Sequence, residues 1–464
     1  MLVLPKFRGG PNVKNALIVL PHDPSWDDAR LAWNLSADQQ PAAVALPETA
    51  EDVQAVVRWS RKRGLRIAPQ GTGHNALPLG SLAHTVLLKT ERMRGVEIDP
   101  SARRARVEAG VLWGEVSDAA AEHGLAALAG SSADVGVVGY SLGGGVSWLG
   151  RRYGLAANSV TAIELVNAEG ELVRADAEQS ADLFWALRGG GGSFGVVTAL
   201  EFTLYPIAEV YAGILFFPLE RGAEVLRAWR RWVDTVPDEV TSVGRFLQFP
   251  PIPDIPEPVR GKSFVVVEAT SLLGKDGTDE LLRPLRALGP DMDTFATIPV
   301  QQLKHLHMDP EHPVPGHGDG MVLSDFNDAA IDALVRIAGA GSGSPLITVE
   351  VRHAGGALER KAPGAGALTS IDGQFLMFAA GMTPTPGHGA AVRAHVELVQ
   401  NALAAWDSGR AYLNFAVKRE RGERLFGDLT YRRLQTVKAA VDPDDVFRSN
   451  HPVRLPASEV RKAA

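Results

Sequence analysis

The stretch "GSSADVGVVGYSLGGGVSWLGRRYG", residues 130–154, holds seven glycines before Arg151. Glycine at this density lets backbone N–H groups come close to a ligand, as a turn-rich anion nest does. A loose surface loop is the competing reading. Val135, Val137, Val138, Tyr140, Leu142 and Trp148 make it too apolar for that. A chain built around such a loop has to wrap it with ordered elements.

Two further glycine loops test the obvious nucleotide motif. Gly71-x-Gly73-x-x-Ala76 follows the strand-like "LRIAPQ", but Pro78 and Gly80 oppose the helix whose N-terminus would meet a pyrophosphate. Gly190-x-Gly192-x-x-Gly195 follows a helical run and precedes a β-branched one, the reverse of the required order. Neither is a Rossmann fingerprint. Together the three loops suit a large phosphate-bearing cofactor held without a helix dipole.

The flanking pattern is α+β. "TAEDVQAVVRWSRKRG" reads as a helix capped by Thr49 and closed by Gly64, and "VLWGEVSDAAAEHG" as another ending at Gly124. "SVTAIELVNAEGELVRAD" reads as a hairpin turning at Ala168-Glu169-Gly170, and "VVTALEFTLYP" alternates as a strand. After Pro206, "AGILFF", "VGRFLQF", "SFVVVEAT", "ITVEVRH" and "GQFLMFAAG" read as strands. The helical "RGAEVLRAWRRWVDTV" and "NDAAIDALVRIAG" lie between them, predicting an antiparallel sheet backed by helices. A last helix is expected around Tyr431–Val441, stopped by Asp442-Pro443.

At 464 residues the chain suits two domains, and a net charge of −7 without long charge blocks gives no reason to expect nucleic acid or membrane. The absence of cysteine excludes disulfides, thiolate metal sites and thiol nucleophiles. The N-terminal "MLVLPKFRGG" lacks a continuous apolar segment and predicts a cytoplasmic protein. "HLHMDPEHPVPGHGDG" gathers His305, His307, His312 and His317, yet has no helical His pair. It reads as a mobile loop over a pocket, and no metal is expected.

Four runs in this order resemble the flavin-dependent oxidases of the vanillyl-alcohol oxidase and p-cresol methylhydroxylase type, in the berberine-bridge-enzyme-like branch. They are "AVALPETAEDVQAVVRWSRKRGLRIAPQGTGHN", "VGVVGYSLGGGVSWLGRRYGLAANSVTAIELVNAEGELVRA", "DLFWALRGGGGSFGVVTALEF", and the C-terminal "YLNF" with "DPDDVFRSNHPV". The resemblance implies a p-cresol-methylhydroxylase-type FAD-binding domain over 1–206, a substrate domain over 207–405, and a C-terminal segment, 406–464, returning to the first. It implies that His74 carries the 8α-methyl of FAD in a covalent histidyl link; the alternative is a histidine that only hydrogen-bonds the cofactor. The second, cysteinyl link of many relatives falls at Ser132 and is impossible here.

Carried over position by position, the FAD contacts are Gln70, Gly71, Thr72, Gly73, His74 and Asn75 in the first loop. Ser131, Ser132, Val135, Gly136, Gly139, Tyr140, Gly143, Gly144, Gly145 and Gly154 follow in the central loop. Val197, Tyr412, Asn414 and Asn450 complete the set. Val135 resembles the form that admits oxygen, so O2 is the expected acceptor and H2O2 the product. A different acceptor, or a flavin protein without turnover, stays open.

The family's catalytic tyrosines are replaced by Phe415 and Val146, which accept no proton. Period-two alternation puts Glu350 and Arg352 on one strand face, so a partly buried Glu350 with a raised pKa is a candidate base. Arg352 neutralising Glu350 is the competing reading. Tyr140 and Tyr412 are the other acid/base candidates, acting on an organic small molecule.

Overall fold

The computed structural model describes residues 17–253, 255 and 257–455, so the N-terminal stretch used to infer location lies outside the described residues. Thr49 caps the helix Ala50–Arg61 as expected: its side chain accepts from Asp52 N–H while the Asp52 carboxylate accepts from Thr49 N–H. Val53, Val56 and Val57 on one helix face are fully buried. They pack with Ala43, Ala45, Ile67, Val86 and Leu88.

Those partners belong to the first sheet. Its strands are β1 (Leu17–Val19), β2 (Ala43–Leu46), β3 (Arg66–Gln70) and β4 (Thr85–Lys89), in the order β1-β2-β4-β3. β2, β4 and β3 run parallel, so the chain leaves the carboxyl end of β3 directly into the histidine loop. The second sheet is antiparallel: β5 (Val96–Asp99), β6 (Arg104–Glu108), β7 (Val160–Val166), β8 (Leu172–Asp176) and β9 (Val196–Thr203), ordered β5-β6-β9-β7-β8. The β7–β8 pair is the expected hairpin, with Gly170 in the left-handed region its turn needs.

The third sheet has eight antiparallel strands. β10 (Glu209–Pro218), β11 (Val240–Gln248), β12 (Ser263–Ser271), β15 (Gly316–Leu323), β16 (Thr348–His353) and β17 (Phe375–Met382) pair as β10-β12-β11-β16-β17-β15. The short β13 (Met292–Asp293) and β14 (Ala296–Pro299) extend its β10 edge. Helices Gly222–Val233, Gly274–Arg286, Asp328–Ala338 and Pro386–Ala402 supply side chains to one core with its strands, among them Trp229, Leu282, Ile331 and Val396. Val349 and Val351 of β16 join that core. Alternation then leaves Glu350 and Arg352 for the opposite face.

Two ties lock the sheets together. Arg151, buried after the central glycine loop, donates to the Val240 carbonyl (2.7 Å) and meets His353 Nε2 at 2.9 Å. Beyond the helix Asp428–Val441 the chain returns to β3: Ile67 N–H donates to the Val446 carbonyl, and Arg448 N–H to the Ile67 carbonyl.

The structure differs from the sequence reading in three places. The central glycine loop contains the helices Val137–Leu142 and Gly150–Tyr153. The histidine-rich run is no mobile loop throughout: His305 lies in the helix Leu303–Leu306, His307 is buried, and His317 is in β15. The helices Gly274–Arg286 and Pro386–Ala402 were not anticipated. Among the described residues no group of three His, Cys, Asp or Glu could hold a metal ion, and no helix is long and apolar enough to cross a membrane.

Candidate active site

His74 sits on the loop that β3 releases. Thr72 Oγ1 lies 2.8 Å from His74 Nδ1, and Asp134 Oδ1 of the central loop lies 3.4 Å from Nε2. The Trp33 ring stacks on the imidazole at 3.9 Å and 16°. The Trp33 indole N–H donates to Asp134 Oδ2, and Ser132 Oγ donates to Oδ1 at 3.1 Å. Burial alone would raise the Asp134 carboxyl, but His74, Trp33 and Ser132 outweigh it and hold it below the usual range. Gly73 has φ +85°, and a Cβ there would come within 2.8 Å of Ala32 Cβ. Only glycine fits that close approach.

This loop carries polar atoms that the protein itself leaves open. Gln70 Nε2, His74 Nε2 and Asn75 Oδ1 are buried without a hydrogen-bond partner. A Cβ on Gly71 or Gly139 would meet nothing within 4 Å. Three unsatisfied buried polar groups gathered on one short loop mark a place shaped for a ligand. A flavin nucleotide, with its many donors and acceptors, fits that donor set.

The loop also joins the C-terminal segment. Asn75 Nδ2 donates to the Ala416 carbonyl at 3.1 Å, and Asn450 Nδ2 to the Asn75 carbonyl at 3.3 Å. Asn414 Nδ2 donates to the Tyr140 carbonyl (3.0 Å) and to Tyr412 Oη (3.1 Å). The triple glycine has a steric reason. A Cβ on Gly143 would lie 1.8 Å from Asn414 Oδ1, on Gly144 2.6 Å from Leu368 Cδ2, and on Gly145 2.4 Å from Tyr140 Cε1. Gly136 is the N-cap of the Val137–Leu142 helix, and the Val135 carbonyl accepts from Trp113 N–H. Of the other expected contacts, Gly154 ends the Arg151 helix beside Ala357, and the Val197 side chain packs inside the β9 core.

On the sheet face opposite the helices lies a buried charged cluster. His307 Nδ1 is 2.5 Å from Glu268 Oε2, and its Nε2 is 2.6 Å from Glu350 Oε2. Arg245 meets His307 Nε2 at 2.8 Å and Glu268 Oε1 at 3.0 Å. Arg352 Nε donates to Glu350 Oε1 at 2.7 Å. Its guanidinium carbon lies 5.2 Å from the Phe415 ring centre, and Nη2 reaches Ser131 Oγ at 3.4 Å. Ser131 in turn donates to Asp309 (3.0 Å). The glycine loop, the Phe415 turn and β16 thus converge.

The expected base is corrected by this geometry. Burial would raise Glu350, but Arg352 and His307 beside it hold the carboxyl well below the usual range, so it is a poor proton acceptor. Burial and Arg245 push His307 down, yet Glu268 and Glu350 raise it to about 9, leaving an imidazolium at neutral pH. The tyrosines differ in being held protonated. Burial lifts both the Tyr140 and Tyr412 hydroxyls above the ordinary tyrosine range. Tyr140 spends its proton on the Leu128 carbonyl. Trp33, Asp134, Arg245, Glu268 and His307 were missed as site residues. Only His307 carried a signal, as part of the histidine-rich run.

A cavity of about 600 Å³ lined by Lys361, Asp372, Arg410, Tyr412 and Asp428 shares Tyr412 alone with these groups. It lies off the histidine loop, and the chemistry does not point there.

Known proteins agree with this arrangement. The FAD binding domain family matches residues 41–176, and the berberine and berberine-like family matches 411–454. The chain is 34% identical to (R)-6-hydroxynicotine oxidase of Paenarthrobacter nicotinovorans over 199 residues, 43% of each protein. It is 30% identical to the FAD-linked oxidoreductase YgaK of Bacillus subtilis over 230 residues, 48% of this chain and 51% of that one. These matches span about half the length of each relative or less. The fold extends further: the Physcomitrella patens BBE-like 1 structure superposes with a TM-score of 0.83 at 22% identity, covering 95% of this chain and 97% of that one. With an FAD binding domain matched ahead and a berberine-like segment matched behind, the chain carries the two domains of berberine-like FAD-linked oxidoreductases.

Proposed function

We propose that this chain is an FAD-dependent oxidase of an organic small molecule, with the flavin attached through His74 alone. The observation that carries the reading is the set of open, buried polar atoms around His74, at the end of a parallel strand and inside the FAD-binding match. Residues 1–206 would bind FAD, 207–405 would form the substrate side, and 406–464 would return to close the cradle. When bound, FAD supplies acceptance of a hydride from a substrate C–H and passage of two electrons to O2, giving H2O2.

The chain's own groups divide that work. Gln70, Thr72, Asn75, Asn414 and Asn450 hold and orient the cofactor. Arg352, fixed by Glu350 and Ser131 beside Phe415, presents a permanent cation where the substrate would lie. Such a cation stabilises negative charge on a substrate oxygen. Glu350 serves as the anchor of Arg352. Oxygen as acceptor is supported by the relative named (R)-6-hydroxynicotine oxidase.

The test is peroxide release. Purified protein is offered a panel of hydroxylated and amine small molecules under air and under argon, with flavin absorbance followed in both. Bleaching under argon together with peroxide under air supports an oxidase. Bleaching without peroxide supports transfer to another acceptor, and no bleaching by any member contradicts redox turnover on these classes.

A further inference from the structure

An oxidase of organic small molecules still has to choose its substrate, and the wall beside Phe415 narrows the choice.

In the buried charged cluster two carboxylates, Glu268 and Glu350, serve three cations, Arg245, His307 and Arg352. Four of these side chains are at most 3% exposed, and Arg352 alone reaches 15%. Glu350 accepts from its Nε at 2.7 Å, whereas Nη2 has only long contacts, 3.3 Å to His307 and 3.4 Å to Ser131. Nη1 has no hydrogen-bond partner among the described residues. The next carboxylate, Asp309, is reached only through the Ser131 hydroxyl. Arg352 is thus anchored at one end and unused at the other. A planar guanidinium fixed in this way matches the two oxygens of a carboxylate.

Beside that free end the wall is aromatic. Phe378 stands opposite Glu350 across the β16–β17 pair, so both project from the same sheet face. The Phe378 and Phe415 ring centres lie 5.0 Å apart. Both side chains are partly exposed, unlike Phe326 and Phe375 in the core. Their depth is set by β15, where a Cβ on Gly318 would lie 2.8 Å from Phe378 Cζ and one on Gly320 2.7 Å from Phe415 Cβ. Two open phenyl rings with a cation at one end form a wall for a flat apolar body that carries a negative group.

Resting on the assignment of this face to the substrate, we propose that Arg352 is a specificity-determining residue and that the substrate is an organic acid. Its planar apolar body lies along Phe378 and Phe415, and its ionised carboxylate binds the Nη1 end of Arg352. A protonated amine in the same position is disfavoured by the like charge.

The test reads binding and needs no turnover. Flavin-loaded protein is titrated with benzoate, benzamide and benzylamine, which share a ring and differ in charge, and the change in flavin absorbance gives each Kd. Benzoate is expected to bind about tenfold tighter than benzamide, the increment of one charge-assisted contact, with benzylamine weakest. Arg352→Gln is expected to bring benzoate to the level of benzamide and leave benzamide unchanged. Arg352→Lys, which keeps the charge without the fork, is expected to retain part of the preference. Equal binding of benzoate and benzamide by wild type overturns the proposal, as does no response to benzoate, or the full preference surviving in Arg352→Gln. Should Arg352→Gln not fold, Arg352→Lys decides: weakened benzoate with unchanged benzamide supports the proposal, and an unchanged benzoate Kd overturns it. Protein that takes up no flavin removes the proposed function and this inference with it, a result seen before any ligand is added.

Discussion

The histidine loop and the Glu350 face of the large sheet are both buried and polar, and they are finished to different degrees. Around Gln70, His74 and Asn75 the protein leaves a donor or acceptor open on each residue. Around Glu350 every charge has an opposite within 3.0 Å: Glu268 has His307 and Arg245, and Glu350 has His307 and Arg352, although Arg245 Nε and Glu268 Oε1 meet as an ion pair without an aligned hydrogen bond. An incomplete set is costly unless something else completes it. An ion-paired set is rigid, and its charges are spoken for. The first region is therefore a receiver and the second a frame. This is why the carboxylate that sequence alternation offers as a base is held ionised as a strut.

Breaking the frame gives the largest expected effect. Glu268→Gln leaves Arg245 and His307 facing one another across a buried gap, and loss of one partner of such a pair costs about 3–5 kcal/mol. The urea midpoint of the substrate side should fall accordingly, with flavin content in the surviving folded fraction unchanged. A variant as stable as wild type would show that the cluster is wetter and looser than its distances imply.

The pH dependence comes next. His307 titrates at about 9 in the fold, above the ordinary histidine value of 6.5. Its contribution is therefore fully present below about pH 6.5 and is lost as pH rises through about 9. Thermal midpoints recorded from pH 6 to pH 10 should decline over that window in wild type. His307→Gln should be less stable at pH 6 and lack that part of the decline. Equal slopes in the two proteins would remove His307 from the account.

A smaller effect sharpens the other side. In a His74→Ala background FAD can be titrated reversibly, and Asn75→Ala should weaken it about tenfold, near the net value of one buried hydrogen bond. Unchanged affinity would mean that the open Asn75 oxygen is not a cofactor contact.

The two regions also differ in how far the sequence reveals them. The histidine loop was legible because its signal is local: a strand, glycines at 71 and 73, and a histidine at 74. Its partners were not, because Trp33 and Asp134 stand 101 residues apart and meet only in three dimensions. On the sheet, alternation correctly put Glu350 and Arg352 on one face. The consequence for Glu350 depended on His307, 43 residues away in a run that looks like a loop. The same run hid β15, whose Gly316, Gly318 and Gly320 have low strand propensity. Sheet packing overrides that: a Cβ on Gly320 would lie 2.7 Å from Phe415 Cβ, so the turn of the C-terminal segment demands small residues there. The helices inside the central glycine loop were obscured in the same way, by glycines required for packing against Tyr140 and Asn414.

The central claim is that His74 carries the flavin, and acid precipitation tests it most directly. Wild-type protein should keep its yellow colour in the washed pellet. His74→Ala should be folded, coloured before acid, and colourless in the pellet after it. Colour released from wild type, or retained by His74→Ala, would contradict the account.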